Sequence, residues 1–99
     1  MTGMLNHVVM FRFKKSASES AIADVVEGLR RLPGIIAEIK EFQVGRDLSH
    51  LARSYDLALI AGFENLESLG SYDAHPAHRA VVEKIKELSE SIVSVDFEN

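Results

Sequence analysis

Leu5-Asn6-His7-Val8-Val9-Met10-Phe11-Arg12-Phe13 alternates: the odd positions are apolar apart from His7, while the even positions run Asn6, Val8, Met10, Arg12. A period of two residues belongs to extended chain, so the stretch predicts a β-strand with two semi-apolar faces. Lys14 and Lys15 end it. Ser16 or Ser18 can then cap a helix in which Ile22, Val25, Val26, Leu29 and Leu32 recur at spacings of three and four, stopping at Pro33-Gly34. Ile35, Ile36 and Ile39 lead into a second strand, where Phe42 and Val44 alternate with Glu41 and Gln43 until Gly45. Residues 46–54 show no apolar periodicity and read as a loop. A third strand is expected over Tyr55–Phe63, with Tyr55, Leu57, Leu59, Ala61 and Phe63 on one face and Asp56, Ala58, Ile60 and Gly62 on the other. Asn65 caps a short helix carrying Leu66, Leu69 and Tyr72, which breaks near His75-Pro76 and restarts, because proline suits a first helical turn. Ala77, His78, Val81, Val82, Ile85 and Leu88 form the buried stripe of the restarted helix. Val93, Val95 and Phe97, alternating with Ser94, Asp96 and Glu98, predict a fourth strand.

The order strand, helix, strand, strand, split helix, strand predicts an α+β, ferredoxin-like βαββαβ fold. Right-handed crossovers put both helices on one face of a four-stranded antiparallel sheet. The other face would leave Val8, Met10, Ala58 and Ile60 in water, and a second copy of the sheet is the simplest cover. A homodimer through the sheet face is therefore expected. At 99 residues, 46% apolar and 26% charged, residues 1–99 read as one globular domain. Eleven basic against fifteen acidic residues give a net charge of −4, with no basic cluster beyond Lys14-Lys15 and Arg30-Arg31, which argues against nucleic acid. No apolar run nears the roughly 20 residues of a membrane span, and no leader pattern opens the chain. A cytoplasmic protein without a membrane partner is the expectation. The absence of cysteine excludes disulfides, a thiolate nucleophile and cysteine-ligated zinc.

The chemistry-bearing residues are few. There is no Gly-x-Ser-x-Gly elbow and no glycine-rich phosphate loop. His75-x-x-His78 sets two imidazoles one turn apart without a carboxylate in register, too little for a metal site, so neither metal nor cofactor is expected. His75, just before Pro76, reads as a helix cap, and His50 as a solvated loop residue. His78 falls on the apolar stripe and points inward. A packed core histidine donating one N–H to a carbonyl is the plain alternative. His7, however, shares a strand face with Val9 and Phe11, so two histidines converge on one interior space. The break at Pro76 frees Tyr72 and His78 to meet there.

Four segments together resemble the stress-responsive α/β-barrel (Dabb) family: His7-Val8-Val9-Met10-Phe11-Arg12-Phe13-Lys14, Gly45-Arg46-Asp47, Tyr55-Asp56-Leu57-Ala58-Leu59, and Tyr72 through His78 followed by Val95-Asp96-Phe97. The resemblance implies ferredoxin-like subunits that pair sheet to sheet as a dimeric α+β barrel. Most members have no assigned reaction, but one plant member is a cofactor-free polyketide cyclase. Its catalytic tyrosine and histidine fall on Tyr72 and His78, and its N-terminal pocket histidine on His7. A second pocket histidine, two residues beyond a tyrosine, is matched here by Leu57 after Tyr55, so a polar wall has become apolar. The resemblance thus implies His78 as general base, Tyr72 as proton donor to an enolate oxygen, and His7, Tyr55, Leu57 and Val82 around a small, largely apolar carbonyl or aromatic ligand. A cyclase- or lyase-type reaction, a cofactor-independent monooxygenase and a non-enzymatic ligand carrier remain the three classes.

Overall fold

β1 (Leu5–Phe13) pairs on both sides, with β3 (Leu57–Phe63) and with β4 (Ser89–Glu98), and β2 (Glu41–Arg46) completes a four-stranded sheet of order β2-β3-β1-β4. The computed structural model describes residues 3–99. All three pairings are antiparallel. The connections are α1 (Glu19–Arg31), a 3-10 turn at Leu32–Gly34, and the consecutive helices α2 (Leu66–Ala74) and α3 (Pro76–Leu88). This is the expected ferredoxin-like arrangement, with the split helix resolved into α2 and α3. Among the described residues, no helix is long and apolar enough to cross a membrane.

Each helix starts where a side chain can take an orphan amide. Ser18 accepts from Ala21 N at 3.2 Å, so of the two candidate caps for α1 it is the later serine that serves. Asn65 accepts from Ser68 N at 2.9 Å at the head of α2. The apolar stripe of α1 buries Val25, Val26 and Leu29 against the odd-numbered face of β1 and its neighbours. Gly28 lets α3 approach α1, because a Cβ there would stand 3.3 Å from a methyl of Val81. Register fixes the two faces of the sheet. Val9 lies opposite Leu59 and Ser94, and Phe11 opposite Leu57 and Ile92, all towards the helices. Val8, Met10, Ile60, Val93, Val95 and Phe97 share the open face, where Val95 is 55% and Met10 41% exposed.

Two boundaries differ from the sequence expectation. The third strand begins at Leu57, not Tyr55. Asp56 is used to close the end of β1: its N–H donates to Phe11 O at 2.8 Å and its carboxylate accepts from Phe13 N at 2.8 Å. Tyr55 consequently turns to the open face, where the Arg12 guanidinium lies 4.5 Å from its ring centre and its hydroxyl meets Ser91 Oγ at 2.9 Å. β4, conversely, begins at Ser89, immediately after α3, through a polar stretch in which no apolar alternation could announce a strand.

Candidate functional site

A cavity of about 220 Å³ lies between the helix-facing side of β1, β3 and β4 and the helices α1 to α3. Its floor is apolar: Val9, Phe11, Leu29, Leu59 and Ile85. His7, Tyr72, Asp73, His78, Lys86 and Ser94 supply its polar groups, and Val82 and Ile92 complete the wall.

The break between α2 and α3 builds the centre of this site. α2 ends at Ala74, so the carbonyl of Asp73 loses the amide that a continued helix would send it. His78, in the first turn of α3, fills that place with its ring: Nδ1 lies 3.1 Å from Asp73 O. A carbonyl only accepts, so Nδ1 carries the proton and Nε2 keeps its lone pair. His75 caps α3 as expected, its Nδ1 accepting from Ala77 N at 3.1 Å. Both imidazoles of His75-x-x-His78 thus have their Nδ1 engaged in local structure, and among the described residues no group of three or more His, Cys, Asp or Glu side chains is placed to hold a metal.

Tyr72 stands on α2 with only 1% of its surface exposed, packed on Phe63 and against both histidines. Ring centroids lie 4.2 Å from His78 and 6.0 Å from His7. Its hydroxyl has no hydrogen-bond partner among the described residues, and it is not sealed in either, since Ser89 Oγ is the single fully buried polar side-chain atom left unpaired among them. A buried phenol with a free O–H facing a cavity is a donor awaiting an acceptor. Burial, aided by the Asp73 carboxylate, pushes its pKa well above the ordinary 10, so it stays protonated. For His78 burial has the opposite sense: it lowers the pKa from the ordinary 6.5, outweighing the hydrogen bond and charge of Asp73, which favour the imidazolium. At neutral pH the site therefore holds a neutral imidazole acceptor beside a neutral phenol donor.

Of the residues expected around the ligand, His7, Tyr72, His78 and Val82 converge on the cavity. Tyr55 and Leu57 do not. Tyr55 faces the open side, and Leu57 is buried opposite Phe11 and Arg46, four residues along β3 from Ala61, the partner of His7. At about 3.3 Å per residue that is roughly 13 Å away. Asp96 is the residue that sequence reasoning missed. It lies directly across from His7 in the β1–β4 pair, with Oδ1 2.5 Å from His7 Nδ1. Strand alternation puts Asp96 on one face with Ser94, but only the register, which no motif states, sets it against His7.

A family model described as the stress responsive A/B barrel domain matches residues 5–99. The chain belongs to the stress-responsive A/B barrel family. Among relatives of this A/B barrel chain, the stress-response A/B barrel domain-containing protein HS1 of Arabidopsis thaliana is 33% identical over 78 residues, covering 77% of this chain and 72% of HS1. A solved dimeric ferredoxin-like protein of unknown function from Thermobifida fusca superposes with a TM-score of 0.89 at 31% identity, over 98% of this chain and 92% of that one. The hydroxynitrile lyase of Passiflora edulis has a TM-score of 0.87 over 98% of this chain and 94% of its own, at 21% identity, a likeness of fold alone.

Proposed function

We propose that this A/B barrel protein binds a small, largely apolar carbonyl or aromatic compound in the cavity and moves a proton on it without a cofactor. The observation that carries the reading is the free hydroxyl of a buried Tyr72 beside the neutral His78 ring, 4.2 Å between centroids. His78 Nε2 takes a proton from a carbon next to the ligand carbonyl. The carbonyl oxygen gains the negative charge and accepts a hydrogen bond from the Tyr72 O–H, so the product is an enolate held by Tyr72 with the abstracted proton on His78. The largely apolar walls lower the local dielectric and strengthen that hydrogen bond. Such chemistry serves a cyclase- or lyase-type enzyme. The protein is proposed to work as a homodimer closed over the open sheet face, supported by the apolar surface there and by solved relatives described as dimeric.

Incubation in heavy water with an aryl ketone such as phenylacetone tests the chemistry. The protein is expected to speed deuterium entry beside the carbonyl, and Tyr72→Phe or His78→Gln to cut that acceleration by about 10²-fold or more. Exchange no faster than in buffer overturns the acid–base reading, and a compound that binds and is recovered unchanged assigns the cavity to a carrier.

A further inference from the structure

The proposed proton transfer occupies one end of the cavity and leaves the other end without a role. Towards solvent the cavity runs as a cleft between α3 and β4, the edge strand of the sheet. On the helix side His78, Val82 and Lys86 follow one another in steps of four along one flank. β4 starts directly after α3 and returns beside it, so Ile92 stands towards the Lys86 end and Asp96, against His7, towards the His78 end. Ile92 faces the helices, opposite Phe11, yet is 42% exposed, which marks where the cleft opens.

The charges are sorted along this cleft. Asp73 and Asp96 both stand at the His78 end, one with its carbonyl on His78 Nδ1 and the other with its carboxylate on His7. Lys86 is the one lysine or arginine of the lining, eight residues and hence about 12 Å along α3 from His78. Among the described residues no salt bridge engages it. A cation in the last turn suits the helix dipole, but the dipole does not choose the flank on which that cation stands. Lys84, two residues earlier, lies instead in the groove between α1 and α3.

We infer that Lys86 is a specificity-determining residue and that the ligand is a keto acid, with its ketone between Tyr72 and His78, its apolar body along Val82 and Ile92, and its carboxylate on the Lys86 ammonium. The inference rests on the cavity's being a ligand site. A lysine stem leans back towards the start of its helix, so the gap to be spanned is shorter than the helical rise between the two residues, and a short methylene spacer bridges it. The reverse orientation would set the ligand carboxylate against Asp73 and Asp96, so charge decides which end of the ligand meets the acid–base pair. Lys86 is exposed, so its pull on an anion is screened by water and weakens as salt rises.

Calorimetric titration of the intact protein with 4-benzoylbutyrate and with its methyl ester tests this. The two share the aryl ketone and the spacer and differ only in the charge. At low ionic strength the acid is expected to bind wild type roughly tenfold more tightly than the ester, and the preference to shrink as salt is added. Lys86→Met keeps an unbranched stem without the charge, and acid and ester should then bind alike, while Lys86→Arg retains the preference. Lys84→Met removes the same charge from the same helix outside the cleft and should also retain it. An acid bound no more tightly than the ester by wild type overturns the inference and leaves the cavity as a site for neutral ketones, and that result needs no variant to fold. A preference that survives Lys86→Met, or is lost equally in Lys84→Met, overturns it as well. Failure of wild type to bind either compound removes the cavity reading, and the ligand class with it.

Discussion

Tyr72 and His78 belong to different helices, yet their rings lie 4.2 Å apart between centroids. In one unbroken helix, six residues at 100° each would point the two side chains about 120° apart. Pro76 removes that constraint by starting α3 afresh, and the Asp73 carbonyl left free by the end of α2 receives the His78 ring. The break in the helix is therefore what assembles the acid and the base.

The cap at His75 should accordingly matter twice. Ser18→Ala and His75→Ala each remove a side chain that accepts an N-terminal amide, and each is expected to cost about 1 kcal/mol in urea unfolding. Only His75→Ala should also move the imidazole resonances of His78. Equal silence at His78 in both variants would show that the start of α3 does not position that ring.

Leu29→Asp should abolish folding, whereas Glu83→Ala should change stability by no more than about 0.5 kcal/mol. Leu29 is buried between α1 and the cavity floor, and Glu83 lies on the exposed face of α3. Melting temperatures measured side by side check the assignment of both helix faces.

The lowered pKa of His78 sets a pH dependence. Unfolded, the ring takes up a proton as pH falls through about 6.5; folded, burial holds it neutral to lower pH. Between those two points the unfolded chain binds more protons, so this contribution to stability is intact above the unfolded value and is lost as pH falls towards the folded one. Melting temperatures of wild type and His78→Gln should therefore converge on acidification through that window. A gap that stays constant from neutral to acid pH would contradict a neutral buried imidazole.

The open face makes a prediction about mass. Light scattering at micromolar concentration should return twice the protomer mass of 11.0 kDa. Val95→Glu places a charge on the edge strand of that face, opposite Val8, and should yield a folded monomer.

Element order and core were legible because alternation in β1 and the three-and-four spacing of α1 are properties of single segments. The convergence of His7, Tyr72 and His78 was legible too, since each residue's face follows from its own element and the proline announced the break. What stayed hidden depends on pairs of segments. Tyr55 alternates correctly with Leu57 and still leaves the strand, because Asp56 bonds to the end of β1. Asp96 faces His7 through a β1–β4 register that includes an irregularity at Arg12/Phe13, which neither strand's pattern contains.

The most direct test of the cavity as a working site is proton NMR of the His78 and His7 imidazoles, titrated with pH in the absence and presence of an aryl ketone or naphthol. A bound ligand changes both the solvation of the rings and their hydrogen bonding, so their titration midpoints are expected to shift when it binds, and the remaining His7 midpoint to be insensitive to it in Tyr72→Phe/His78→Gln. Titration curves that superimpose with and without every compound would contradict the account and leave His78 as a packed core residue.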